Sequence, residues 1–226
     1  GIEAFSHARI AEISIPSTVT KIGNNAFSFC RKLKYFNIPE NSNLQTIGLN
    51  IFIYTKIKEI YLPASLKELE DGWCYNADKL KKITVSSLNK HFMTIEDKYV
   101  VGKSDESKDE FDILLFAQRD IEEISIPSSI RIISSYAFKN CKKLTKVEIS
   151  SDSKLETIGE YAFYKTQIKE IYLPSKVTII CENAFSECDK LKKVEFAENS
   201  NLKIIESSAF SGVLIKKITI PSQVIK

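Results

Sequence analysis

The chain has 226 residues, of which 43% are apolar and 27% charged, a composition typical of a soluble folded domain and not of a disordered segment. No apolar run approaches the roughly 18 residues that a membrane-spanning helix needs, so we expect no membrane insertion by this segment. The formal net charge of +3 is too small to indicate nucleic-acid binding by itself, and we expect no nucleic-acid partner.

Residues 1–12 match the second half of a repeat. Glu3-Ala4-Phe5 matches Ala-Phe pairs that recur later, and Ile10 and Ile13 help to close the same coil. A polar cap, which stacked repeats normally need, is missing both here and after Ile218. We therefore expect the natural protein to continue in both directions, with any signal peptide and anchor outside this segment.

Two repeat lengths alternate from Ile13 onwards. A 23-residue coil runs over Ile13–Phe36 and a 24-residue coil over Phe36–Ile60, so that the pair makes a 47-residue unit. Self-similarity at a fixed period of roughly 20–50 residues indicates a solenoid. The shorter coil returns at Ile60–Ile83, Ile124–Val147 and Ile171–Val194, and the longer coil at Val147–Ile171 and Val194–Ile218.

Each coil predicts the same local structure. The pattern L-x-x-V-x-I, as in Leu33, Phe36 and Ile38, predicts a short strand with alternating inward residues. The neighbouring proline ends the strand because it cannot donate to a hydrogen-bond ladder. The segment I-x-x-x-A-F-x-x-C predicts a short helix or 3-10 turn on the opposite side. Coils stacked about 4.8 Å apart would align their strands into one continuous parallel sheet.

One coil departs from the pattern. Trp73 stands at the alanine position and Cys74 at the phenylalanine position. The stack could bend locally around the large side chain, or Cys74 could compensate for its volume. We favour compensation because cores tolerate substitutions that conserve volume.

A long interruption follows that coil. Ile83 to Ile124 spans 41 residues where 23 or 24 are expected. Two apolar runs, 92–101 and 111–116, flank a charged turn, so residues 86–120 predict an inserted β-hairpin. Interleaved lysines in the turn favour a solvated tip over a calcium site. The carboxylates concerned are those of Asp105, Glu106, Asp109, Glu110 and Asp112.

The repeated pattern I-x-I-P-S-x-V-x-x-I-x-x-x-A-F-x-x-C-x-x-L-K-x-V-x-I resembles the BspA-type (treponemal) leucine-rich repeat over nearly all of the chain. The resemblance implies an α/β solenoid, a right-handed superhelix with a parallel sheet on its concave face and short helix or 3-10 turns on its convex face. Residues 1–226 would form a single solenoid, part of a longer array, with 86–120 inserted. It also implies a cell-surface or secreted protein, a surface antigen that acts in adhesion.

The sequence contains little that indicates a catalytic site. The two histidines, His7 and His91, lie far apart in the array, and neither is placed near a repeated serine or cysteine in a way that indicates a nucleophile and its base. The seven glycines are scattered singly, so no glycine loop is available to bind phosphate. We therefore expect neither enzymatic activity nor a cofactor in this segment.

Five cysteines are present, an odd number. Cys141 and Cys188 lie two coils apart, about 10 Å on sheet spacing and beyond bridging distance. No C-x-x-C pair is available for zinc. We expect five buried free thiols that act as small hydrophobic side chains.

The outward positions of the strands carry many lysines and several tyrosines. Solenoids use such a sheet face to bind partners, and tyrosine supplies rigid contact area. We predict a partner-binding surface for a protein, such as a host matrix or cell-surface protein, or for an acidic glycan. Alternatively, the lysines only keep a long sheet soluble. The predicted binding residues are Lys34, Tyr35, Lys58, Tyr61, Lys81, Lys82, Lys169, Tyr172, Lys192, Lys193 and Lys216.

The favoured function is therefore non-enzymatic protein binding and adhesion through the concave sheet face. A competing hypothesis is a structural spacer or self-associating scaffold without a discrete ligand. Such a scaffold could be intracellular, since the thiols also suit a reducing compartment.

Overall fold

The computed structural model describes residues 1–105 and 107–226, so Glu106 of the predicted tip lies outside the described residues. The chain divides into two compact units, Gly1–Val100 and Val101–Lys226, and the division falls within the segment 86–120. Both units are built from coils of parallel β-strands, as the repeat predicts. The arrangement of 1–226 as one solenoid with a hairpin inserted at 86–120 stays a prediction.

In the first unit, short strands alternate between two sides of each coil. Strand β1 pairs with β3 and β5 pairs with β7, while β2, β4 and β6 form a separate three-stranded sheet. The strands are β1 (Glu12–Ser14), β2 (Lys21–Ile22), β3 (Tyr35–Asn37), β4 (Thr46–Ile47), β5 (Glu59–Leu62), β6 (Glu68–Leu69), β7 (Lys82–Val85) and β8 (Phe92–Ile95).

The second unit repeats this plan. Strand β11 pairs with β13 and β15 with β17, and β10, β12, β14, β16 and β18 follow one another in a second sheet. Strand β9 (Tyr99–Gly102) spans the division between the units. The strands that follow are β10 (Ile113–Ala117), β11 (Glu123–Ile126), β12 (Ile132–Ile133), β13 (Lys146–Ile149), β14 (Thr157–Ile158), β15 (Glu170–Leu173), β16 (Ile179–Ile180), β17 (Lys193–Phe196) and β18 (Ile204–Ile205).

The sheet of two-residue strands was not predicted. Its register joins Ile22 to Ile47 and Ile47 to Leu69 in the first unit, and Ile133 to Ile158 in the second. Each of these strands is too short to show an alternating pattern in the sequence. The sheet forms only when neighbouring coils supply the paired strands.

The predicted helix or 3-10 turns are wrong. No helix occurs in the described residues, and these segments are isolated turns, such as the one closed by the Ala26 N–H donating to the Gly23 carbonyl at 3.2 Å. A helix cannot form because each of these segments contains two residues with left-handed backbone. In the coil that begins at Ile13 they are Asn25 (φ 57°) and Phe29 (φ 59°). A left-handed residue interrupts a right-handed helix. It also turns its N–H outward.

Those outward N–H groups bond to the next coil. The Asn25 N–H donates to the Leu49 carbonyl at 3.0 Å, and the Phe29 N–H donates to the Ile53 carbonyl at 2.7 Å. Left-handed backbone costs roughly 1–2 kcal/mol per residue, and the hydrogen bond between coils offsets that cost. The turns are therefore stabilised by stacking.

The core between the sheets consists of aligned columns of side chains. In the second unit, Phe138, Phe163 and Phe185 are buried and stack in parallel, with ring centroids 4.8 and 5.0 Å apart. In the first unit the ring of Trp73 is buried and meets Phe52 edge-on at 6.5 Å. The indole of Trp73 thus reaches the column of phenylalanine rings, at the coil where the small side chain of Cys74 stands at the phenylalanine position. This contact agrees with the interpretation that Cys74 compensates for the volume of Trp73.

All five cysteines are thiols, and no disulfide joins them. Four are buried as predicted, but Cys181 is only half-buried, which corrects the expectation for that residue. The Cys188 thiol donates to the Phe163 carbonyl at 3.0 Å. Burial raises the pKa of the Cys30, Cys141 and Cys188 thiols above the ordinary range.

Thiol labelling should therefore depend on folding. We expect a disulfide-exchange reagent at neutral pH to modify Cys181 first in the native protein, and all five thiols only after unfolding. Because the folded thiols hold their protons more tightly, the free energy of unfolding should fall as pH rises into the range where unfolded cysteine ionises. Mass spectrometry of the modified protein checks the order. Rapid native modification of Cys141 would contradict it.

Candidate functional site

The outward face of strands β3, β5 and β7 carries predicted binding residues of the first unit. Side chains along these strands alternate between buried and exposed positions. Lys34 and Lys58 are exposed, Tyr35 is 61% exposed and Tyr61 is half-buried. Strand alternation places Tyr35 and Tyr61 at outward positions of β3 and β5. Lys34 and Lys58 are the exposed residues that directly precede these two strands.

The expected continuous sheet is interrupted on this face. The hydrogen-bond ladder joins β1 to β3 and β5 to β7, but no ladder joins β3 to β5 among the described residues. The Lys56 N–H donates to the Leu33 carbonyl at 2.8 Å, just before the two strands separate. The coil at this point is the 24-residue type, and its additional residue breaks the pairing as a β-bulge does.

A groove of about 900 Å³ opens where β3 and β5 separate, and we call it the first groove. The buried residues Phe36, Ile38 and Ile60 line its apolar part. Tyr35 and Tyr61 line it with aromatic rings that also carry hydroxyl groups. The first groove therefore combines apolar contact area with polar groups, as ligand sites do.

The first groove is strongly basic. Its lining contains five lysines and a single acidic residue, Glu59. The Lys81 N–H donates to the Lys58 carbonyl at 2.7 Å, so these two lysines are direct neighbours on adjacent strands. Within the described part of the chain, none of the five lysines forms an ion pair. The five are Lys34, Lys56, Lys58, Lys79 and Lys81.

An equivalent second groove lies in the second unit, between β13 and β15, with a volume of about 750 Å³. Its charges are balanced, because three lysines face three glutamates. Lys146 pairs with Glu148 at 2.5 Å and Lys193 pairs with Glu195 at 2.7 Å. A third opening after β17 also has balanced charges in its lining, where Lys193 reappears.

These ion pairs shift the pKa values of the second groove. The hydrogen bond and charge of Glu148 raise the pKa of Lys146, and the hydrogen bonds from Lys146 and Ser125 lower the pKa of Glu148. Glu195 raises the pKa of Lys193 in the same way. Two of the three lysines of the second groove, Lys146 and Lys193, are thus already engaged, in contrast to those of the first groove.

The structure divides the predicted residues among several places. In the first unit the groove brings together Lys34, Tyr35, Lys58, Tyr61 and Lys81. The second groove holds Lys169, Tyr172 and Lys193.

Three predicted residues lie outside these linings. Lys82 is not part of the first groove and pairs with Asp97 at 3.3 Å. Lys192 and Lys216 line neither the second groove nor the opening after β17. The strand register also places acidic residues beside two of the predicted lysines, because Glu59 lies opposite Lys82 and Glu170 opposite Lys193.

Two groove lysines were missed. Lys56 and Lys79 precede the strand pattern, at positions that the outward columns of L-x-x-V-x-I do not include. The signal was available in the repeat itself. Gln167 stands where the repeat places Lys56, so a comparison of equivalent coils would have revealed a charge difference.

Neither a membrane-spanning helix nor a cluster of metal-binding side chains occurs among the described residues. No helix there has the length and apolarity required to cross the bilayer. No group of three or more histidine, cysteine, aspartate or glutamate side chains there is arranged to hold a metal ion.

Stacked coils, parallel strands and an open sheet face define a repeat solenoid of the leucine-rich type. The family model described as the BspA type leucine rich repeat region matches residues 1–100 and 111–226, in six copies. The chain therefore belongs to the BspA-type leucine-rich repeat family, as its repeat pattern predicts. No curated protein matches the sequence.

Solved bacterial structures share the fold. A leucine-rich repeat protein from Eubacterium ventriosum has a TM-score of 0.70 at 22% identity, with 98% of this chain and 76% of that chain covered. The pneumococcal vaccine antigen PcpA has a TM-score of 0.69 at 22% identity, over 98% of this chain and 63% of that chain. A leucine rich cell surface protein from Faecalibacterium prausnitzii has a TM-score of 0.65 at 20% identity, over 93% and 65%.

Proposed function

We propose that this chain is a non-enzymatic binding module of a cell-surface or secreted protein, and that it contacts a partner protein through the outward face of its longer strands. The observation that carries the proposal is the first groove, which offers unpaired lysines and two tyrosines on that face. Tyrosine is enriched at protein interfaces, and basic surfaces speed encounters with acidic partners.

The family and the fold support this proposal. Leucine-rich repeats in general bind proteins through extended surfaces. Two of the similar structures are described as a cell surface protein and a vaccine antigen. Adhesion to a host matrix or cell-surface protein is the specific role that we propose for this chain.

An adhesion assay tests the proposal. Immobilised chain should retain extracellular-matrix proteins or whole cells, and a variant with Lys58, Lys81, Lys192 and Lys216 changed to glutamate should lose most of that retention. The matched control carries the same charge reversals at exposed lysines away from this face. Its positions are Lys67, Lys90, Lys176 and Lys203.

Each outcome decides between the hypotheses. Loss of retention in the strand-face variant alone supports binding through this face. Equal loss in both variants would show a non-specific charge effect and contradict it. Concentration-dependent self-association in sedimentation, without retention of any partner, would instead support the spacer hypothesis.

A further inference from the structure

The first groove differs from the second in a way that indicates ligand selectivity. Resting on the proposed function, we propose that the first groove binds an acidic, extended segment of a partner polypeptide, and that the second groove does not. Charge, free backbone groups and the distribution of acidic residues each support this choice of ligand.

Charge supplies the main selectivity. Five unpaired lysines surround the first groove, so an incoming carboxylate gains attraction without first breaking an ion pair. In the second groove a carboxylate would have to compete with Glu148 for Lys146 and with Glu195 for Lys193. Groups that are already paired gain little from a further anion, because their charge is largely neutralised.

Backbone groups in the first groove favour a peptide. The main-chain groups of Tyr35 and Asn37 bond to the preceding coil, which contains strand β1. For example, the Ile15 N–H donates to the Asn37 carbonyl at 2.8 Å. Main-chain groups of successive residues in a strand point to opposite sides. Those of Phe36 and Glu59 therefore face the interrupted ladder, where the described residues give them no backbone partner.

Such unpaired strand groups can bond to an extended peptide. A peptide presents both N–H donors and C=O acceptors along its length, and main-chain bonds of this kind supply affinity at exposed strand edges. Tyr35 and Tyr61 add flat surfaces against which its side chains can pack.

Glu59 favours a peptide over a sulfated glycan. Its carboxylate is part of the groove lining, among the lysines. A uniformly polyanionic chain would place a negative group near this carboxylate, and like charges repel. A peptide can instead present a backbone N–H or a neutral residue there and keep its carboxylates for the lysines.

The duplicated unit provides a matched set of substitutions. Positions 111 residues apart in the chain are equivalent in the two grooves, since Tyr35 and Lys146 begin strands β3 and β13. Six lining positions of the first groove differ from their equivalents in the second, and all but the buried Phe36 are exposed. The substitutions that give these five exposed positions the residues of the second groove are K34T, Y35K, N37E, K56Q and T84E.

The experiment measures binding of a short fluorescein-labelled peptide of alternating aspartate and glycine to the whole chain by fluorescence anisotropy. The converted first groove should bind this probe at least about tenfold more weakly at low salt. The reverse conversion of the second groove, T145K, K146Y, E148N, Q167K and E195T, should strengthen binding. The control variant carries K67Q and K203Q. It loses two lysines, as the first conversion does through K34T and K56Q, and should bind the probe like the unchanged chain.

Folding is checked by far-UV circular dichroism, and all substituted positions are exposed or half-buried. Equal binding by the unchanged chain and the converted chain would overturn the inference. So would preferential binding of a sulfated oligosaccharide over the acidic peptide. The adhesion assay above uses intact partner proteins and different variants, so the proposed function can hold when this inference fails.

Discussion

Replacing Phe163 with alanine should lower the free energy of unfolding of the second unit by about 3–5 kcal/mol. The ring is fully buried and lies between Phe138 and Phe185, nearly parallel to both. Its removal leaves a cavity inside a stack whose members cannot shift without breaking the hydrogen bonds between coils. Urea denaturation followed by far-UV circular dichroism measures the loss.

Two other variants show whether the position in the stack sets the cost. Phe163→Leu keeps most of the volume and should cost clearly less than alanine. Phe210→Ala removes a ring that is only half-buried and stacks on Phe185 with the ring centroids 5.2 Å apart. It should cost well under half as much as Phe163→Ala. Equal losses for the two alanine variants would contradict the role of burial within the stack.

Arg119→Met should destabilise the second unit by roughly 2–3 kcal/mol, since hydrogen bonds to charged groups each contribute more than neutral ones. The guanidinium donates to the carbonyls of Ala137 at 2.6 Å, Ala117 at 3.1 Å and Tyr136 at 3.2 Å. It also lies 4.0 Å from the centre of the Phe116 ring. Methionine retains apolar contact with Phe116 but removes all three charged hydrogen bonds. The Ala137 and Tyr136 carbonyls then keep only their backbone donors, the N–H groups of Ala117 and Lys139.

A second variant, Arg119→Lys, separates charge from geometry. The introduced lysine would carry the charge and could contact Phe116, but an ammonium cannot reach three carbonyls with the planar fork of arginine. Arg119→Lys should therefore recover only part of the stability that Arg119→Met loses in the same urea experiment. Full recovery would show that charge alone stabilises this contact.

The turn segments show how a local pattern can mislead. The segment I-x-x-x-A-F-x-x-C has the length and composition of a short helix, yet two left-handed residues four apart interrupt it in each coil. A signal was present in the sequence, because asparagine and glycine tolerate left-handed backbone and recur at these places. Examples are Asn25, Asn50, Gly72, Asn140, Asn183 and Gly212.

The proposed binding face shows a different case, in which the sequence pattern was incomplete. Lys34, Lys58 and Tyr61 line one groove. The prediction overlooked the pairing of Lys146 and Lys193 with glutamates two residues further along the same strands. Residues i and i+2 of a strand share a face, so this pairing could have been anticipated from spacing. The opening of the first groove could not have been anticipated from residue spacing.

The sequence alone determined the family, the 47-residue unit, and which residues face the core or the solvent, because periodic apolar positions record burial directly. Only the tertiary structure decided where the strand ladder breaks, and hence where the first groove opens. That outcome depends on which backbone groups of neighbouring coils come opposite one another. One additional residue in a coil changes this alignment in space while it leaves the apolar pattern almost unchanged.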